Sequence, residues 1–470
     1  MTADPHPTRS RRPRSLAAAW AAALVAAPLV VAPPAHSSPE EQPDELPDQL
    51  PDALLDELRD SAYWLEDYGV DQAWETTRGE GVRIAVLDTG VDGDHPVLEG
   101  AVTGGTDVSG SGGDGGPVEQ VAQEHGTLVA SLAAGRGVET AQRDESGVVG
   151  VAPEAEILSV SMDLAIDDDG GTTLEDQVVE AVDWAVENDA DIINMSFSMP
   201  DAQQWPESWD EAFLRAEQED VLVVAAAGNR MSGHWSVGAP ATVPGVLTVA
   251  GVDEEGRVSE DASSQGISID ISAAAEPLVG AIPDGDYAEW TGTSGAAPIV
   301  SGAAALVMAA HPDLSAAEVR ERLKATASSA ADGAEEGSSD PVYGSGILDV
   351  GEAVTASEVP DLDESDQTLE EWIRIHRRDE GDGDDGEDGE SDAEETEAAA
   401  DGEADGDDGA DSEGGGSEGA PREMPEARAT DEVQSWAGPA VVIGAGVVIL
   451  GVVFAGAAHL VSRRRRSDSP

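Results

Sequence analysis

Along residues 81–252 the chain alternates short, wholly apolar runs with longer stretches in which apolar positions return every three or four residues. The first pattern belongs to strands buried on both faces, the second to helices with one buried face. Residues 82–87, 157–160, 191–195, 221–226 and 246–252 read as strands. Helices are predicted among them: one opened by His125, one capped by Thr172 with Glu175 three residues on, and one near 207–219. This alternation predicts an α/β fold of three layers, a mostly parallel central sheet with helices on both faces. Active groups of such a sheet collect beyond the carboxyl ends of its strands, where Asp88, Asn194 and Asn229 fall. A long apolar helix over 295–310 follows, stopped by Pro312, and Ser315 with Glu318 forms a further capping box.

Outside 62–357 the pattern changes, so one globular domain is expected there. Arg9, Arg11, Arg12 and Arg14 precede an Ala- and Val-rich run, the layout of a secretory signal over 1–35 cleaved near Ala35. The export route stays open, because the paired Arg11-Arg12 lacks the hydrophobic pair expected soon after a twin-arginine signal. Residues 36–61 form a Pro- and acid-rich extension: Pro39, Pro43, Pro47 and Pro51 favour an extended strap, and a short helix over 53–68 follows. So few residues cannot bury a core of their own. Residues 358–436 lose all periodicity; 379–418 hold 20 acidic residues in 40 and no basic ones, predicting a self-repelling, disordered linker. The apolar run 438–461, followed by Arg463 to Arg466, predicts a C-terminal transmembrane helix over 437–461. The basic tail 462–470 is then cytoplasmic and the globular domain extracytoplasmic, on a single-pass cell-membrane protein.

Charge narrows the partners. The 470 residues carry a formal charge of −73, and 62–357 alone hold 55 acidic against 10 basic residues, a net −45. Nucleic acid is excluded as a partner. Lys324 is the only lysine, and an acid-rich, lysine-poor surface suits a salty environment, where self-repulsion is screened. With no cysteine there is no disulfide, thiol nucleophile or cysteine-bound metal. No cofactor is expected for catalysis. Structural calcium at Asp167-Asp168-Asp169-Gly170 is the sharper reading of that stretch, a solvated acidic turn the plainer one, and no metal ligand is assigned.

The stretch Trp290-Thr291-Gly292-Thr293-Ser294-Gly295-Ala296-Ala297-Pro298 delivers a serine at the abrupt start of the long apolar helix. Its glycines let the backbone turn sharply, and the helix N-terminus points unpaired N–H groups at charge developing beside Ser294. Serine needs a base, and the base an orienting acid. His125, in His125-Gly126-Thr127-Leu128-Val129-Ala130, and Asp88, at the end of the first strand in Asp88-Thr89-Gly90, supply that pair. His95, beside Pro96 in a turn, is better read as structural, and Asp92 and Asp94 lack the strand-end placement of Asp88. Trp205 and Trp209 either cover the cleft or shield a neighbouring helix.

Taken in order, Asp-Thr-Gly, His-Gly-Thr-x-Val-Ala and Gly-Thr-Ser-x-Ala-x-Pro resemble the three signature boxes of the subtilisin-like serine proteases, the subtilases. The order Asp, His, Ser is itself that of subtilisin. The resemblance covers roughly residues 71–354 and implies serine endopeptidase activity on polypeptides, with Asp88, His125 and Ser294 catalytic and Asn229 in the oxyanion hole. More loosely, Asn194-Met195-Ser196 resembles a substrate-lining segment, with Asn194 and Ser196 as substrate-binding residues. Tyr343 to Asp349 resemble the closing element of the family. The layout of signal, short extension, protease domain, linker and anchor is similar to the mycosins, membrane-anchored subtilases associated with type VII secretion. That likeness implies processing of secreted or cell-envelope proteins, or alternatively a scaffold role in a secretion assembly. The mycosins' disulfides are absent, the acidic stalk is longer, and Gly295 stands where bulkier residues are common.

Overall fold

A computed structural model describes residues 50–120, 122–164, 172–199, 204–259, 263–330, 340–357 and 368–377. The expected signal, the Pro-rich strap up to residue 49, the Asp167–Asp169 turn, most of the acidic linker, the transmembrane helix and the basic tail lie outside those residues.

In chain order the body runs α1 (Asp52–Asp60), α2 (Trp64–Asp67), α3 (Val70–Ala73), β1 (Arg83–Asp88), β2 (Val102–Asp107), α4 (His125–Ala134) and the pair β3 (Arg136–Val138) and β4 (Ser146–Val149). Next come β5 (Glu156–Ser161), α5 (Leu174–Glu187), β6 (Ile192–Met195), α6 (Asp210–Gln218), β7 (Leu222–Ala226) and β8 (Leu247–Val252). It closes with β9 (Ile271–Ala274), the hairpin β10 (Leu278–Ile282) and β11 (Asp286–Trp290), then α7 (Thr293–Ala310), α8 (Ala316–Ala325), α9 (Val350–Thr355) and α10 (Leu369–His376).

Seven strands form one sheet in the order β2-β5-β1-β6-β7-β8-β9, with every neighbouring pair parallel. Strand β1 shows why both faces must be covered. Ile84 and Val86 enter one core with residues of α4 and α7, whereas Ala85 and Leu87 enter the opposite core with residues of α5 and α6. A strand buried on both sides needs no polar positions, which is why these runs read as continuously apolar.

Three expectations are corrected. The Thr172–Glu175 box is displaced by one residue: Thr173 Oγ1 accepts from Asp176 N–H at 3.1 Å and starts α5 at Leu174. The helix expected over 53–68 is interrupted between α1 and α2, and α1 is docked on the body through an Asp56–Ser146 hydrogen bond and the Asp60–Arg143 ion pair at 2.7 Å. The expected linker does not start at 358 as featureless chain. Helix α10 returns to the domain, burying Leu369, packing Trp372 against Trp205 with ring centroids 4.3 Å apart and the rings tilted by 46°, and ending in an Arg377–Asp210 pair at 2.9 Å. Trp205 and Trp209, 4% and 0% exposed, thus shield helices and do not cover a cleft. The Ser315–Glu318 capping box is present.

Helix α7 has the length and apolarity to cross a bilayer, but most of it is buried in the core against α4 and strands β6 to β9.

Candidate active site

Three elements bring the site together. Asp88 is the last residue of β1 and fully buried; it accepts from Thr89 N–H at 2.7 Å. His125 is the first residue of α4, and its Nδ1 lies 2.8 and 3.0 Å from the two Asp88 oxygens. Thr89 fastens the two elements together, since its Oγ1 donates to Gln123 O and accepts from Gly126 N–H at 2.9 Å. The approach is close enough that a Cβ on Gly126 would meet the Gly90 carbonyl oxygen at 2.3 Å, so the residue after this histidine must be glycine. Burial works against a charged imidazole, but the Asp88 charge and hydrogen bond outweigh it and hold the His125 pKa above the ordinary 6.5. The Trp290 ring meets the His125 ring edge to face, centroids 5.7 Å apart.

Ser294 sits in the first turn of α7, one residue inside the helix that was expected to begin at 295. Its Oγ donates to the Ser196 carbonyl at 2.9 Å, and the Ser196 hydroxyl donates to the Ser294 carbonyl at 2.8 Å. Asn229 lies three residues past β7; its Oδ1 accepts from both Thr293 N–H and Thr293 Oγ1, each at 2.9 Å. Its Nδ2 lies 3.1 Å from where a side chain on Gly292 would begin, beside the turn into Ser294.

Asn194 is placed differently from the expectation of a substrate contact. It is fully buried, donating to Ser196 Oγ at 3.0 Å and accepting from Ser301 Oγ at 2.9 Å. Asn194 therefore ties β6 to α7 beneath the site. Ser196, 2% exposed, presents its main chain to Ser294 and its hydroxyl to that buried network. His95 is also buried, its Nδ1 accepting from Val97 N–H while Nε2 faces the Asp286 carbonyl at 3.0 Å. Burial lowers its pKa, as suits a neutral structural histidine. Asp92 uses its carboxylate within the turn, accepting from Asp284 N–H and Asp94 N–H, while its own N–H bonds Thr127 Oγ1. Among the described residues, no group of three or more His, Asp or Glu side chains is arranged to hold a metal ion.

Two site features were missed in the sequence: the Ser196–Ser294 exchange, which depends on main-chain atoms, and Trp290, whose register opposite Leu278 in an unrecognised hairpin turns it towards His125.

The comparisons agree with this architecture. The chain is 35% identical over 237 residues to an intracellular serine protease of Paenibacillus polymyxa, covering 50% of this chain and 68% of that one. It is 34% identical over 251 residues to subtilisin E of Bacillus subtilis (strain 168), covering 53% of this chain and 61% of that protein's length. Among solved structures, the MycP3 protease from the type VII (ESX-3) secretion system superposes with a TM-score of 0.53 at 30% identity, over 63% of this chain and 88% of that one. The subtilase family model matches residues 79–346, which run from the turn before β1 to the close of the domain and include every residue of the site. With more than half its length matched and the family's sheet in place, this chain belongs to the subtilase family.

Proposed function

We propose that the chain is a membrane-anchored, extracytoplasmic serine endopeptidase. The observation that carries this reading is the Asp88–His125 pair, with Nδ1 held on the carboxylate at 2.8 Å and the imidazole thereby oriented, at the start of the helix α4 that packs against α7, the helix carrying Ser294. Ser294 Oγ attacks the scissile carbonyl, His125 takes its proton and delivers it to the leaving amine, and Asp88 stabilises the imidazolium. The oxyanion is received by Asn229 Nδ2 and the Ser294 N–H, a helix-start donor without an intrahelical acceptor. In this structure Ser294 Oγ rests on Ser196 O. Rotation about χ1, between staggered wells, carries it to His125 when substrate is bound. Anchoring rests on the apolar run 438–461 and the arginines after it, and the acidic stretch before it holds the site off an anionic membrane. Substrates are then exported or cell-envelope polypeptides.

A fluorophosphonate probe applied to membranes tests the chemistry: the full chain is expected to label and Ser294→Ala not to. Labelling that survives Ser294→Ala sinks the assignment. Protease added to cells stripped of wall is expected to release a fragment cut within 379–436; protection of that region, with loss of a tag after Pro470, reverses the topology.

The likeness to MycP3, a protease from a type VII secretion system, favours a second reading in which the domain also serves as a scaffold of such an assembly. Secretion that persists in Ser294→Ala but fails on deletion of the chain separates that role from catalysis.

A further inference from the structure

The arrangement of cations in this acid-rich domain singles out one residue. Of thirteen described Lys and Arg side chains, ten reach a carboxylate. Arg322 instead donates to two main-chain carbonyls. Among the described residues, that leaves Arg136 and Arg230, each with a guanidinium nitrogen that is buried and without a hydrogen-bond partner. Arg136 lines a pocket that Glu99, Glu139, Asp284 and Asp286 also line, so its surroundings are acidic although none of them pairs with it. Arg230 follows Asn229 directly. Their α-carbons are therefore about 3.8 Å apart, which places Arg230 on the turn that leads out of Asn229.

The backbone around Arg230 is fixed. Ser232 N–H and His234 N–H both bond the Asn229 carbonyl, at 3.1 and 3.2 Å, and Gly233 N–H bonds the Arg230 carbonyl at 2.9 Å. Ser264 N–H bonds the Gly228 carbonyl at 2.8 Å and anchors the foot of the turn. Beside the turn, Ser198 Oγ is likewise buried and unpartnered, 3.2 Å from where a side chain on Gly228 would begin. A buried cationic nitrogen with no partner carries a desolvation cost that a ligand carboxylate would relieve.

Charge is also segregated along the sequence. Although 97 of 470 residues are acidic, the four segments 125–138, 192–199, 221–252 and 290–312 contain none; Asp88 and Glu124, which precedes His125, are the acids whose charge bears on the His125 imidazole. A domain of net −45 repels acidic polypeptides in general, so an acid-free wall with one unanswered arginine is where such a substrate gains most.

We propose that Arg230 determines specificity by receiving the carboxylate of a Glu or Asp side chain adjacent to the scissile bond, so that acidic segments of polypeptides are the substrate class. The planar guanidinium suits a carboxylate through paired N–H donors, and Ser198 Oγ supplies a further one. This proposal rests on the serine-peptidase reading of Ser294.

The test digests a proteome-derived peptide library with the full chain in detergent, reads the cut sites by mass spectrometry, and follows with quenched peptides carrying Glu or Gln at the enriched position. Glu is expected to exceed Gln in kcat/KM by ~10- to 100-fold, the scale of one charge-assisted contact, and less at molar salt. In Arg230→Gln the Glu-to-Gln ratio should collapse to about twofold or less, and in Arg230→Glu the preference should turn to Lys or Arg. Fluorophosphonate labelling of both variants reports that the site is still folded. Cleavage with no acidic enrichment, or a ratio unchanged in Arg230→Gln, overturns the proposal and leaves the peptidase reading standing. Absence of both cleavage and labelling in the unaltered chain overturns the peptidase reading and this proposal with it.

Discussion

The hydroxyl of Ser294 donates to the main-chain carbonyl of Ser196 at 2.9 Å while the hydroxyl of Ser196 donates back to the Ser294 carbonyl at 2.8 Å. The exchange couples the start of α7 to the end of β6, and Asn194 supports it from below through Ser196 Oγ. Removing the Ser196 hydroxyl leaves the Ser294 carbonyl and the Asn194 amide each short of a partner. Ser196→Ala is therefore expected to lower kcat roughly tenfold and stability by ~1 kcal/mol, with KM little changed. Steady-state kinetics check this; an effect confined to KM would make Ser196 a substrate contact instead.

On the proposed mechanism Asn229 has two separable tasks: its Oδ1 holds Thr293, and its Nδ2 would donate to the oxyanion. Asn229→Asp keeps the acceptor and loses the donor; Asn229→Ala loses both. Both variants should lose ~100- to 1,000-fold in kcat, the loss measured for such a donor in subtilisin. Only the alanine variant should also melt earlier, by ~1–2 kcal/mol of stability. Equal melting temperatures for the two would remove the structural task.

The pH profile follows from His125. With its pKa raised above 6.5 by Asp88, the acid limb of kcat/KM should lie above pH 6.5, since a protonated imidazole cannot accept the Ser294 proton. Asp88→Asn should move that limb to lower pH and cut kcat by about 10,000-fold, as the same change does in a chymotrypsin-like triad. For stability the sign is opposite to the activity. A folded pKa above the unfolded value stabilises below about pH 6.5, and that contribution is lost as pH rises through the folded pKa. The melting advantage of the unaltered chain over Asp88→Asn should therefore narrow in alkali. An acid limb below pH 6.5 would contradict the pairing.

Gly295 is set by its neighbours. A Cβ there would lie 2.2 Å from Leu278 Cδ1 and 3.2 Å from Trp290 Cζ2, the ring that packs on His125. Gly295→Ala should cost ~1–3 kcal/mol and reduce activity, because overpacking displaces the tryptophan. Leu278→Val, which removes the obstructing methyl, should recover part of both in the double variant. Purely additive losses would show that the two positions are not coupled.

Salt provides a global check. With 55 acidic and 10 basic residues in 62–357, added salt from low to molar concentration should raise the melting temperature by screening repulsion. A flat or falling trend counts against a surface shaped by its own charge.

Residues whose task is set by near neighbours in the chain were legible from the order of amino acids. The continuous apolar run of β1 could only be a doubly buried strand, Ser315 and Glu318 could only meet at a helix start, and three short boxes sufficed to indicate a subtilase. Weak local patterns were not legible. Strand β2, Val-Thr-Gly-Gly-Thr-Asp, is an edge strand with low propensity and exists because β5 offers it a partner. Helix α10 lies in a stretch that composition marks as linker, and what holds it is contact with Trp205 and Asp210, over 150 residues away. Asn194 shows the same limit within the site. Its strand-end position is a property of the sequence, but whether its side chain faces substrate or core depends on where Ser301 of α7 arrives. Sequence alone determined the class of fold and the chemistry on offer, because periodicity and motif are local. Tertiary structure decided which polar atoms were answered and which, like Arg230 Nη2, were left open, because hydrogen-bond satisfaction is settled between segments that meet only in the folded chain.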